Sequence, residues 1–431
     1  MVTQLQVIGK SECADEIVAT VSRQSGAWKK VKLGEVCSKI GSGATPKGGS
    51  TVYVNKGVAF IRSQNVYNLY FDYNGLVYIT QDAATKLNGV EIKNKDVLLN
   101  ITGDSVARTC IAPSNILPAR VNQHVAIIRP NPEVLDPHFL NYYLASPSMQ
   151  AFMLGLAVGK GASRNAMTKD MIMNFEVPCP PISIQHSITT TLSRYDNLIE
   201  NYQRQIKLLE EAAQRLYKEW FVDLHFPGHE NVKVIDGVPE GWEKKRLGEV
   251  ADINKETIRK DFNGEINYID LSSTKNGRII SRQKYEFSNA PGRARRIAHD
   301  GDIVWGMVRP NLKSYALVMS PSERDVFSTG FAVITATDVP FTFLYFYATT
   351  ESFIKYLINC TNGAAYPAVK PIHFAEAECK VPTKELLKQF DCIVEPIVRK
   401  ISLLDTQLTL LTESRDRLLP KLMSGEIELK I

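Results

Sequence analysis

Two stretches of the chain carry apolar residues at a strict 4-3-4-3 spacing. The first runs Ile188, Leu192, Tyr195, Ile199, Tyr202, Ile206, Leu209, Ala213, Leu216, Trp220. The second runs Phe390, Val394, Ile397, Ile401, Leu404, Leu408, Leu411, Arg415, Leu418, Leu422, with the arginine as its one polar intruder. A 3.5-residue period sustained over more than four heptads predicts coiled-coil helices, because a surface helix of a globular domain would show a broader stripe. Pro180-Pro181 and Pro382 mark the starts. His225-Phe-Pro-Gly-His229 breaks the first, and Pro420 followed by Ser424-Gly425 should end the second. Pro396, inside the second pattern, predicts a kink or a late helix start. The heptad span 188–220 is about 48 Å long. Two helices of matched length, each with one seam, most simply pack on each other, and geometry favours an antiparallel pair.

Ahead of each helical stretch the pattern is one of short β-rich runs bounded by Gly, Asn and Pro: 58–62, 96–101 and 125–129 before the first, then 266–271, 302–308 and 331–335 before the second. A short aromatic helix follows each set, near 137–146 and 342–352. The two sets are copies of one unit. Trp28-Lys-Lys-Val-Lys-Leu-Gly-Glu-Val36 recurs as Trp242-Glu-Lys-Lys-Arg-Leu-Gly-Glu-Val250. Asp96-Val-Leu-Leu recurs as Asp302-Ile-Val-Trp, and Asn122-Gln-His-Val-Ala-Ile-Ile as Ser328-Thr-Gly-Phe-Ala-Val-Ile. Gly161-Ala-Ser-Arg-Asn-Ala echoes Gly363-Ala-Ala-Tyr-Pro-Ala. The expected class is α+β: two duplicated α/β domains separated by two long antiparallel coiled-coil helices, in a pseudo-twofold arrangement. The boundaries follow as an extension 1–27, a first domain 28–181, a helix 182–223, a linker 224–239, a second domain 240–382, a helix 383–423 and a tail 424–431.

Composition narrows the class without naming a function. The 431 residues are 44% hydrophobic and 23% charged, as in ordinary globular proteins. No apolar run approaches the roughly 20 residues of a membrane span. The start lacks the pattern of a secretory signal, and seven cysteines without a CxxC pair suit a reducing cytosol. The expected location is cytoplasmic. The net charge of +5 is unevenly spread: 28–181 has 16 basic against 10 acidic residues, and 240–382 has 19 against 17.

Catalytic patterns are sparse in the chain. Gly43-Ala-Thr-Pro-Lys-Gly-Gly-Ser50 has glycine where a phosphate loop needs lysine, so a turn-rich loop is the better reading. Pro227-Gly228 removes the helix that His225 and His229 would need to share a metal. Asp82, Glu91 and Lys93 loosely resemble a magnesium-nuclease set, but the second copy has nothing equivalent. No cofactor fingerprint and no methylation motif is present. The expectation is a non-enzymatic chain that binds no metal or cofactor.

The loops suit double-stranded DNA better, since Asn and Gln can pair with adenine and Arg with guanine. Candidates in the first copy are Arg62, Gln64, Asn65, Thr102, Asp104, Arg108, Asn122, Gln123 and His124. In the second they are Ser272, Ser273, Thr274, Lys275, Arg293, Arg295, Arg296, Arg309, Asn311, Lys313, Ser328 and Thr329. Lys160, Arg164 and Lys370 flank the Gly-Ala loops and could contact phosphates.

From residue 28 onward the chain resembles the specificity (S) subunit of type I restriction-modification enzymes. The resemblance rests on the duplicated Trp-x4-Leu-Gly-Glu-Val, Gly-Ser-Gly-Ala-Thr-Pro (41–46), Gly-Asp-Ile (301–303) and Val-Pro-Cys-Pro-Pro (177–181). It also rests on Leu-Leu-Glu-Glu-x4-Leu-Tyr-Lys-Glu-Trp-Phe-Val-Asp (208–223) and Arg-Asp-Arg-Leu-Leu-Pro-Lys-Leu-Met-Ser-Gly-Glu-Ile (415–427). It implies two target-recognition domains, each reading half of a bipartite DNA site, with helices that set the spacer. It further implies two methylation subunits using S-adenosylmethionine, and restriction subunits using ATP and magnesium. The second copy has Asn254-Lys-Glu-Thr-Ile258 where the first has its Thr-Pro loop. A coiled-coil scaffold with twin protein-binding domains is the rival reading, and a stand-alone nuclease a weaker one.

Overall fold

The computed structural model describes residues 28–158, 166–275, 277–361, 367–427 and 429. The chain divides into two compact units, one of residues 1–200 with 409–431, the other of residues 201–408.

In the first unit, Lys30–Lys32 pairs antiparallel with Glu176–Pro178, so the start and end of the block are tied together. A four-stranded antiparallel sheet follows the order Thr109–Ile111, Val97–Asn100, Val125–Pro130, Cys37–Ser42. A five-stranded sheet follows the order Tyr53–Val54, Val77–Ile79, Val58–Ile61, Ala119–Val121, Glu91–Ile92, with 58–61 and 119–121 as its parallel pair. Side chains alternate across a strand, and here both faces find a core. Val97, Leu99, Ala126 and Ile128 enter one cluster with the helices Pro137–Ala145 and Pro147–Ala157; Leu98, Val125 and Ile127 enter a second. Burial on both faces is why these strands read as unbroken apolar runs. Pro137 opens its helix, and the Asp136 carboxylate accepts from the Phe139 N–H at 2.8 Å, an N-cap that satisfies an otherwise orphaned donor.

The second unit has the same plan. Glu243–Arg246 pairs with Glu378–Val381, and the antiparallel sheet runs Ala251–Ile253, Phe331–Ala336, Ile303–Gly306, Tyr315–Leu317. The other sheet runs Gln283–Glu286, Glu265–Ile269, Asp325–Ser328, Ala294–Arg296, and its parallel pair is again the central one. Strand starts at 97, 109, 119 and 125 recur at 303, 315, 325 and 331, a constant shift of 206. Ile303 and Trp305 face one core and Val304 the other, as in the first unit. The duplication seen in the residues is therefore a duplication of topology. Residues 224–239, read above as a linker, fold as well: Val234–Ile235 pairs with Val238–Pro239, and the Phe226 ring lies 5.4 Å from that of Trp242.

The long helices are Ile182–Tyr217, continued by a wider turn at Lys218–Val222, and Lys384–Ser424. Within the first unit Ile188 and Leu192 share a core with Leu419 and Leu422, and Asp196 meets Arg415. Within the second, Tyr217 packs on Phe390, and Arg278 joins Glu210 to Asp405. In each unit the numbers rise on one segment as they fall on the other, so the two segments run antiparallel. Every residue of the two heptad seams is buried or half-buried, Ile188, Leu192, Ile206, Ala213, Phe390, Val394, Leu404 and Leu422 most completely.

Pro396 corrects one half of the sequence reading: the second helix does not start late there, but runs unbroken from Lys384 to Ser424. The ring of Pro396 is exposed, while Val394 and Val398 on either side are buried, so packing carries the helix through a residue that removes one backbone bond. Pro420 is also inside the helix, which stops just before Gly425, a residue at φ +74°. Among the described residues no helix is long and apolar enough to cross a membrane.

Candidate nucleic-acid interface

In the first unit the candidate loops converge at one edge, where the strands 58–61, 97–100 and 119–121 end. Backbone bonds lock them together. Asn122 N–H donates to the Ile61 carbonyl (3.0 Å), Ile101 N–H to His124 (2.9 Å), and Asn100 N–H to Arg108 (2.8 Å). The Gly-Ser-Gly-Ala-Thr-Pro loop joins the same edge, with Gly43 N–H bonded to the Val125 carbonyl and Ala44 N–H to that of Val121. A Cβ on Gly43 would lie 2.1 Å from the Val121 oxygen, so only glycine permits this approach.

Side chains divide into those that hold the edge and those that face outward. Asn65 is fully buried; its oxygen accepts from the Arg62 N–H and its amide donates to Asp72 and Asn74 carbonyls. Asn122 is buried and caps the His124 N–H. These two asparagines shape loops and do not present an edge to a base. Arg62 is half-buried and gives Nη2 to the Gly75 carbonyl, beside the exposed Gln64. Arg108 lies 4.6 Å over the Tyr67 ring, which stacks on Tyr70 at 4.9 Å. Asp104 and Gln123 are exposed; Thr102 and His124 are half-buried and bonded to each other at 2.6 Å. Tyr70 is 56% exposed at this edge, an aromatic platform that amide and basic residue types alone do not signal. Lys160 and Arg164 lie outside the described residues.

The second unit presents different chemistry at the equivalent edge. Ser273 and Thr274 are buried, with Ser273 bonded to Asp270 and Thr274 to the Leu271 carbonyl. Ser328 is buried and accepts from Gly330 N–H. These three hold loops. Ser272 is exposed and bonded to Asp270, whose carboxyl lies below its usual range: burial raises it, and the Ser272 and Ser273 bonds outweigh that. Lys275, Arg293, Arg309, Asn311 and Lys370 are exposed. Thr329 is half-buried, its N–H bonded to the Arg293 carbonyl. Lys313 pairs with Glu351, and Arg295 lies 5.1 Å over Phe287. Arg296 is half-buried with its Nε enclosed, and burial lowers its pKa.

The nuclease-like residues do not converge on an ion site. Asp82 sits in the first turn of Gln81–Lys86, and Glu91 pairs with Arg120 at 3.4 Å. Among the described residues no group of three or more His, Cys, Asp or Glu is placed to hold a metal. His225 is bonded to Glu219 and His229 to the Phe226 carbonyl.

Residues 26–211 match the family described as type I restriction modification DNA specificity domain. Over 94% of its length the chain is 24% identical to the specificity subunit of the type I restriction enzyme MjaIX of Methanocaldococcus jannaschii, 94% of which is covered. It is 23% identical to the HindI specificity subunit of Haemophilus influenzae, across 93% of this chain and 99% of that one. The fold is similar to the crystal structure of a type I restriction-modification S subunit from M. genitalium, with a TM-score of 0.63 and 16% identity over 94% of this chain and 99% of the other.

Proposed function

We propose, from a first half that carries a type I restriction modification DNA specificity domain and a second half that repeats its fold, that the chain is the DNA specificity subunit of a type I restriction-modification complex. Each unit reads one half of a bipartite duplex target. The observation that carries this reading is the pairing of one topology with two sets of loop residues. At positions related by the 206-residue shift, Arg108, Gln123 and His124 of the first unit correspond to Ser314, Thr329 and Gly330 of the second. A shared scaffold with exchanged polar groups is what two readers of different sequences require, because base edges are distinguished by donor and acceptor pattern. Excess basic charge in both blocks supplies the phosphate term.

Two methylation subunits dock on this chain and bring S-adenosylmethionine; restriction subunits bring ATP and magnesium. Extruding an adenine from the duplex costs a few kcal/mol and falls to the methylation subunit. Both long helices contribute residues to both units, so helix length sets the spacer between half-sites. Removing one heptad from each helix should change the spacer and leave both half-sites intact, as read by sequencing methylated DNA. An unchanged spacer would count against the measuring role. A protein-binding scaffold would bind no duplex, whereas counterion release demands affinity that falls steeply with salt.

A further inference from the structure

We propose that Gln123 reads an adenine in the half-site bound by the first unit, with Thr45 and His124 as positioning residues that hold its amide for that contact. The inference rests on the reading of the chain as a DNA specificity subunit and assigns one base to one side chain.

Four side chains form a continuous chain of hydrogen bonds at the convergent edge. Thr45 Oγ1 donates to Gln123 Oε1, Gln123 Nε2 meets His124 Nε2 at 3.2 Å, and His124 Nδ1 meets Thr102 Oγ1 at 2.6 Å. Each member sits on backbone that is itself bonded in place: Ala44 to Val121, Asn122 to Ile61, Ile101 to His124, and Met167 to Ile101. The Gln123 side chain is exposed, yet its amide is held from both ends.

What the amide has left decides the base. A glutamine offers two acceptor positions on its oxygen and two N–H donors. Thr45 takes up one end and His124 the other, so one acceptor position and one donor remain. This count survives the choice of histidine tautomer. If His124 Nε2 carries the proton, the amide turns over, Oε1 accepts from histidine and Nε2 donates to Thr45, and the same pair remains. One donor beside one acceptor matches adenine, which shows N7 as acceptor and N6–H as donor in the major groove. Guanine shows two acceptors, cytosine a donor, and thymine an acceptor beside a methyl group, so each leaves the held amide half-satisfied. The arrangement also gives the Thr-Pro loop a role. Gly43 lets the loop approach, and Thr45 is the group it delivers. In the second unit the corresponding residues are Thr329 and Gly330, so that unit serves as an internal control.

The test is selection from randomised duplexes by the assembled specificity–methylation complex, comparing the wild type with Gln123→Ala, Gln123→Glu, Thr45→Val and Thr45→Ser. The wild type should demand adenine at one position of one half-site. Gln123→Ala should relax that position alone, by roughly 5- to 150-fold, the range for one bidentate base contact. Gln123→Glu should shift the preference toward cytosine, Thr45→Val should relax the same position, and Thr45→Ser should retain it. The half-site of the second unit should be unchanged throughout. If Gln123→Ala leaves every adenine preference intact, or weakens all sequences equally, the assignment is overturned. A wild-type complex that selects no bipartite sequence would refute the specificity reading itself, a different and recognisable outcome.

Discussion

Arg129 offers the sharpest test of how the two repeats are held. Its Nε and Nη2 each lie 2.7 Å from a different oxygen of Asp96, a bidentate pair, and Asp96 also accepts from the Lys93 N–H at 2.7 Å. The Asp96 side chain is fully buried and that of Arg129 is 21% exposed. Removing one partner of a buried pair costs about 3–5 kcal/mol, because the other charge stays enclosed without compensation. Partial access of water to the arginine places Arg129→Ala near the lower end, about 3 kcal/mol. That corresponds to roughly 150-fold in an opening equilibrium, at 1.36 kcal/mol per tenfold. Arg129→Lys keeps the charge and loses the fork, so about half of that loss is expected. The second unit has already made a related exchange: Asp302 occupies the equivalent place, and position 335 carries threonine, whose hydroxyl bonds to it. Hydrogen exchange of peptides covering 97–100 and 125–130 measures the effect, with 303–306 and 331–336 as controls in the same sample. A change below about threefold in the first set would refute the reasoning. So would failure of Asp96→Asn to recover part of the loss in Arg129→Ala.

Three further outcomes follow from the geometry. Pro396→Ala should stabilise the second unit by about 1–3 kcal/mol, since it restores a backbone bond in a helix that already runs through this position; a urea midpoint that fails to rise would show that the ring makes an unrecognised contact. Asp302→Asn should help increasingly as pH rises. Burial holds the Asp302 carboxyl above its usual range, against the opposing bonds from His299 and Thr335. Its stabilising share is therefore present below the unfolded value of about 3.9 and lost as pH rises through the higher native value. Melting curves near pH 3.5 should coincide with the wild type and separate by pH 7; a pH-independent offset would contradict this. Arg415→Leu should destabilise the first unit by about 2–3 kcal/mol, because it removes Arg415 Nη1 (2.8 Å) from Asp196 and leaves that carboxylate, among the described residues, with the Tyr142 hydroxyl. Adding Asp196→Asn should return most of the loss in a urea titration.

Arg415 also shows what a sequence can and cannot disclose. Its heptad position was legible as an intrusion, but the partner that explains it, Asp196, is 219 residues away. Periodicity is a local property, so the helices, the strands and the duplication could be read from spacing alone. A late helix start at Pro396 does not occur, because the intrinsic penalty of proline is local, whereas the packing of Val394 and Val398 that overrides it is not. The same limit divided the candidate loop residues. Gln64 and Asn65 are adjacent amides, yet one is exposed and the other fully buried, because a single turn at Ser63–Asn65 points the second inward. Nothing in the letters distinguishes them.

That division carries the functional argument further than any one contact. The polar residues that hold the edges, among them Asn65, Asn100, Ser273 and Ser328, are buried and hydrogen-bonded, Ser273 to the Asp270 carboxylate and the others to backbone, so replacing them strands a donor or acceptor at about 1–3 kcal/mol each. Exposed residues such as Gln64, Lys275, Arg293 and Asn311 bear no comparable load, and surface exchanges of this kind usually stay within about 0.5 kcal/mol. A fold built this way can change what it reads without changing how it stands. The two units are two outcomes of that freedom on one topology. Gln123 is the instructive intermediate: exposed like a reader, but restrained by Thr45 and His124, so that its identity and its orientation must have been acquired together.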